Sequence, residues 1–203
     1  MIWLVIAACA LALLIVVALV LTIVRFNQLS MARSLCDEAK RQLLVELRAR
    51  HALVPAFLGT LQQITAADFG RLGLALASAE RAPFGARGAA AETALTRAIE
   101  TAAASLGGSS SPRTGETSTP GETSAPGESS LTVRDGMREE LETTAHLLHG
   151  QLEVLTERIL AGARIYNTNV ARYHRQRKRF LSRLFRTVFK PREVFDINGT
   201  VGS

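Results

Sequence analysis

Four side chains in the second half of the chain have the spacing of a metal site: Glu142, His146, His149 and Glu153. Steps of 4, 3 and 4 put all four on one helical face, and two histidines three apart can share a metal ion. No further histidine is near in sequence, and a solvated helix face accounts for the same residues. No phosphate-cradling glycine loop, nucleophile elbow or paired-carboxylate pattern occurs, and Cys36 falls on an apolar stripe where packing explains it. Enzymatic chemistry has no residues to carry it, and neither catalytic residues nor a cofactor is expected.

The stronger signal is basic. Arg172, Arg175, Arg177, Lys178, Arg179, Arg183, Arg186, Lys190 and Arg192 alternate with Phe180, Leu181, Leu184, Phe185 and Phe189. The nine cations meet only Glu193 and Asp196 beyond residue 171, so this tail carries +7 of a total of +6 and the rest of the chain is near neutral. Cations mixed with aromatic and aliphatic residues describe an interfacial segment at anionic headgroups. Nucleic-acid phosphates attract the same cations. A charged face closing a bundle, with its Phe side chains packed inside, is a third reading.

What must position the tail is set at the other end. Ile2 to Val24 contains no charge and one hydroxyl, Thr22. As a helix, these residues span about 34 Å, enough for a hydrocarbon core of roughly 30 Å. A soluble helix needs a polar face, and this one has none. A cleaved signal would need a small-residue site, and Leu21, Thr22, Ile23 and Val24 do not make one. The lipobox-like Ile6-Ala7-Ala8-Cys9 leaves no room for the preceding signal regions. Arg25, Arg33, Lys40 and Arg41 follow the span and no side-chain cation precedes it, so the positive-inside rule places the remainder in the cytoplasm of a single-pass cell-membrane protein. The lipid bilayer is then the nearer polyanion for the tail and is favoured over nucleic acid. The domain after the span has one cysteine, in keeping with a reducing compartment.

Between these ends the pattern is helical throughout. Leu29, Ala32, Cys36, Ala39, Leu43, Leu47, Val54, Phe57, Leu61 and Ile64 recur at steps of 3, 4 or 7, the stripe of one long helix, with Pro55 expected to kink it. Asp68 to Arg81 predicts a second helix, with Leu72, Leu76 and Ala79 buried, and Gly88 to Leu106 a third, with Leu95 and Ile99. Residues 107–130 read as a disordered linker with a six-residue Gly-Glu-Thr/Ser repeat and almost no apolar side chain. Leu131 to Arg186 predicts the longest helix, on Leu141, Leu148, Leu152, Leu155, Ile159, Tyr166, Val170, Tyr173 and Phe180. The expected fold is all-α: a transmembrane helix over 1–24, then an elongated antiparallel helical bundle of coiled-coil-like stripes, from 25–106 and 131–197.

One series of motifs resembles a known family. Ala163-Arg164-Ile165-Tyr166-Asn167, then Val170 and Tyr173, then Phe189-Lys190-Pro191-Arg192-Glu193-Val194-Phe195 look like the C-terminal signature of the LemA family. Phe26-Asn27, the run Leu47 to Pro55 and Glu157-Arg158-Ile159 resemble its earlier segments in the same order. The resemblance implies a bacterial single-pass membrane protein with a long-helix bundle and no established enzymatic activity, with Tyr166, Asn167, Lys190, Pro191, Arg192 and Phe195 as family-motif residues. Ala56 stands where the family has Asn, the linker replaces its Glu-x-Tyr-Pro-x-Leu segment, and Tyr173-His174 stands for its second Tyr-Asn pair. The functional expectation is a membrane-anchored scaffold without enzymatic activity or small-molecule substrate. It would act through lipid contact, self-association or recruitment of other membrane proteins. The alternative is a membrane-tethered metal- or nucleic-acid-binding module.

Overall fold

The structure is a computed structural model that describes residues 1–108, 128–178 and 189–197. Among them are four helices and no strand: α1 (Ile2–Ile64), α2 (Gly70–Arg81), α3 (Ala86–Gly108) and α4 (Glu128–Arg177). The first turns of α1 are exposed on every side, as a uniformly apolar helix must be when no protein covers it. It is long and apolar enough to cross a membrane.

Helix boundaries follow local chemistry. α2 begins two residues later than the spacing predicts because the Asp68 carboxylate turns back to accept the Gly70 N–H at 2.8 Å, an arrangement that competes with helix. α3 starts after Gly85, whose φ of 134° only glycine adopts without strain, and Ala89 N–H closes the first turn on the Gly85 carbonyl. α1 runs through Pro55, the position of the expected kink, without interruption of the helix. Of the expected linker, residues 107–108 belong to α3 and 128–130 to α4, and 109–127 lie outside the described residues. α4 ends at Arg177 with Lys178 in a turn, and the expected continuation to Arg186 lies outside the described residues.

The chain forms two compact units, residues 1–44 with 161–195 and residues 45–160 with 196–203; α1 and α4 contribute to both. In the first, Leu29, Ala32, Cys36, Ala39 and Leu43 of α1 bury the same stripe that the sequence spacing marks, and Ala163, Tyr166, Val170 and Tyr173 of α4 bury theirs. The two helices run antiparallel there. Asn169 Nδ2 donates to the Leu35 carbonyl, and a Cβ added to Gly162 would meet Leu43 Cδ1 at 3.5 Å. In the second, Val54, Phe57 and Leu61 of α1, Leu72 and Ala79 of α2, Leu95 and Ile99 of α3, and Ala145 and Leu152 of α4 form one core. Single apolar stripes leave helices no other way to remove that surface from water.

Candidate functional site

The first unit contains a segment without regular structure, residues 189–195, which we call the strap. It lies along α4 in the opposite direction and is held by its main chain. The Tyr173 hydroxyl donates to the Lys190 carbonyl at 2.8 Å, and the Tyr166 hydroxyl donates to the Glu193 carbonyl at 2.8 Å. Asn167 pairs with Phe195 twice, donating from Nδ2 to its carbonyl and accepting its N–H at Oδ1, both at 2.9 Å. His174 Nε2 accepts the Arg192 N–H at 3.2 Å. Positions 166, 167, 170, 173 and 174 share one face of a helix, which lets a single element grip an extended backbone repeatedly.

Three side chains of the strap add specificity. Phe189 is only 3% exposed and meets Phe26 edge-on at 5.5 Å between ring centroids; Phe195 is 1% exposed. Arg192 Nη2 lies 2.6 Å from Asp37 Oδ1, and Arg33 of α1 approaches the same carboxylate at 3.9 Å. Burial raises the pKa of the phenols: Tyr166 is pushed up to about 12, chiefly by desolvation, with Cys36 adding to it, and Tyr173 is raised for the same first reason. Burial and then the neighbouring Arg177 and Lys178 lower the pKa of His174. Cys36 is itself raised by burial, in keeping with a packed thiol.

The residues that carry the family resemblance gather here: Tyr166, Asn167, Arg192 and Phe195 make the contacts, Lys190 offers its carbonyl, and exposed Pro191 holds the strap extended. Of the basic residues, Arg172, Arg175, Lys178 and Lys190 are exposed and Arg177 is half-buried; Arg179, Arg183 and Arg186 lie outside the described residues. Phe189, a candidate for insertion into lipid, is instead committed to the protein interior.

The second unit holds a buried charged cluster that no sequence motif marks. Arg50 is 1% exposed and its Nη2 pairs with the Glu92 carboxylate, itself 3% exposed. His51 Nε2 meets the other carboxylate oxygen at 2.7 Å. Arg50 Nη1 donates to the Thr96 hydroxyl at 3.0 Å and reaches that of Thr156 at 3.4 Å, tying α1, α3 and α4 together. A signal existed: Arg50 continues the stripe of Leu47, Val54 and Phe57, and Glu92 that of Leu95 and Ile99, so two apolar stripes each carry one charge, of opposite sign. Beside this clamp is an open groove of about 780 Å³, lined in part by Thr93, Thr96, Thr156, Arg97, Glu100 and Glu157.

The metal-like face does not converge. His146 is exposed, His149 lies against Phe57 at 6.0 Å, and Glu142 is paired with Arg138. Among the described residues no group of three or more His, Cys, Asp or Glu could hold a metal. Compared with family models, curated proteins and solved structures, the chain matches none.

Proposed function

We propose that the protein is a LemA-like, single-pass membrane scaffold without enzymatic activity, whose α4 end rests against the anionic cytoplasmic leaflet. One observation carries this reading. Within the unit that contains the apolar span, α4 runs antiparallel to α1, and the strap brings Phe189 onto Phe26, two residues beyond Val24. Exposed Arg172, Arg175, Lys178 and Lys190 thereby return towards the stretch of α1 that follows the apolar span. Cations close to the leaflet interact with it at about 1 kcal/mol each, and salt screens those farther away than a Debye length. The cations after the span orient the domain towards the cytoplasm. The meeting of the quoted motif residues at the strap supports the family resemblance, since it gives each of them a shared structural task. Lipid contact is the primary activity in this reading, and recruitment or self-association follows from display at the surface.

The test uses a chain starting at Phe26 with vesicles of phosphatidylglycerol and phosphatidylcholine. Binding should require the anionic lipid, weaken steeply with salt, and fall at least about tenfold when Arg172, Arg175, Lys178 and Lys190 become Gln. Binding to duplex DNA with indifference to anionic vesicles would overturn the proposal in favour of nucleic acid.

A further inference from the structure

Four of the five main-chain hydrogen bonds of the strap use groups that keep their role at all ordinary pH: two phenols and both ends of one amide. The fifth does not. His174 Nε2 accepts the Arg192 N–H, which requires a neutral imidazole with its proton on Nδ1. A protonated imidazole has no lone pair to offer and presents N–H to N–H instead. We propose that His174 makes the strap a proton-sensitive latch, in which neutral imidazole holds the Arg192 amide and protonation releases it.

The surroundings strengthen the effect. Arg177 at the end of α4 and Lys178 in the turn after it are the charges that bear on the imidazole, and both oppose its protonation. On the strap, the Arg192 guanidinium is paired with Asp37, Lys190 lies two residues away, and Glu193 is exposed and joined to α4 through its carbonyl. From α1, Asp37 is the one nearby anion, and Arg192 and Arg33 already share it. The Tyr173 ring lies tilted to the imidazole at 5.8 Å and is neutral below its raised pKa. A proton arriving on His174 therefore finds the two cations Arg177 and Lys178 and loses the amide. Because the pKa of the closed form lies below the ordinary 6.5, closure is fully favoured above about 6.5 and loses its His174 contribution as pH falls through the lowered value. An anionic leaflet draws protons to its surface and lowers the local pH by about half a unit. Docking of the basic end would thus loosen the strap that lies beside it. This last link, unlike the latch itself, rests on the lipid reading proposed above.

The experiment is hydrogen–deuterium exchange of the peptide covering 189–195, on the full chain in nanodiscs of zwitterionic lipid. Wild type is compared with His174→Gln, whose amide oxygen accepts at every pH. Taking the ratio of the two at each pH cancels the intrinsic pH dependence of exchange. The ratio should be near one at pH 7.5, and at pH 5.5 the wild type should exchange about three- to tenfold faster, the worth of one hydrogen bond. A ratio independent of pH overturns the latch. Should His174→Gln loosen the strap already at pH 7.5, the titration of His174 in the wild type decides by NMR. A midpoint below 6.5 that coincides with loss of Arg192 amide protection supports the latch, and a midpoint at or above 6.5 overturns it. In phosphatidylglycerol nanodiscs the opening should move to higher bulk pH. An unmoved midpoint there, with the opening intact in zwitterionic discs, overturns the lipid coupling alone.

Discussion

The strap site and the Arg50–Glu92 clamp solve different problems with similar residue types. At the strap, neutral side chains of α4 bind the main chain of a segment that makes no ladder of its own, and the cations stay near water. At the clamp, a guanidinium and a carboxylate are removed from water almost completely and bind one another. An unstructured segment has amide groups to satisfy, so it needs donors and acceptors placed at intervals. Packed helices have already satisfied theirs, so a buried charge between them must find its counter-charge there. The first arrangement can lose a bond without stranding a buried charge. The second cannot lose one partner without stranding the other.

This contrast is sharpest for Glu92→Leu, which leaves the Arg50 guanidinium buried without a counter-charge. Urea unfolding followed by helical circular dichroism should show a loss of about 3–5 kcal/mol. Adding Arg50→Met should return most of it, because an apolar pair of similar volume carries no desolvation cost. If Glu92→Leu alone is neutral, the clamp is not the closed, dry site described. Asn167→Ala should act on the other region, removing both bonds to Phe195 at a cost of about 1–3 kcal/mol. Exchange at 189–195 should rise at least about tenfold with the helix content unchanged. A melt of the whole helical signal with no selective effect on the strap would erase the distinction between the two regions.

Smaller effects follow from the phenols. The chain has two tyrosines, both at the strap and both raised, so absorbance titration should show no phenol ionising at the ordinary value near 10. The neutral form is the one the folded site favours, so the contribution of Tyr166 is complete below pH 10. It is lost as pH climbs from 10 towards about 12. Tyr166→Phe should cost about 1 kcal/mol at neutral pH and remove that alkaline dependence. A tyrosine titrating at 10 in the folded chain would mean the strap is open. Smallest of all, Gln at Arg172, Arg175 and Lys178 should change stability by no more than about 0.5 kcal/mol while weakening vesicle binding, as exposed cations should. A large stability loss there would assign them to the fold and not to a partner.

Sequence by itself determined the helical class, the apolar span and the buried stripe of α1, because a period of 3.6 residues and an uncharged run of 23 are local properties that survive any arrangement of neighbours. Leu29 through Leu61 are buried where the spacing marks them. Motif residues such as Asn167 and Phe195 were also visible, but as a resemblance, without a task. Only the tertiary structure gave them one, since residues 28 apart meet through a bond from a helix face to an irregular main chain, which no periodicity encodes. The same holds for Arg50 and Glu92, 42 residues apart: each reads alone as an intruder on an apolar stripe, and only packing shows that one intruder neutralises the other. The fate of Phe189 belongs to the same class. Its sequence neighbours are basic and suggest lipid, but the ring that covers it, Phe26, lies at the far end of the chain.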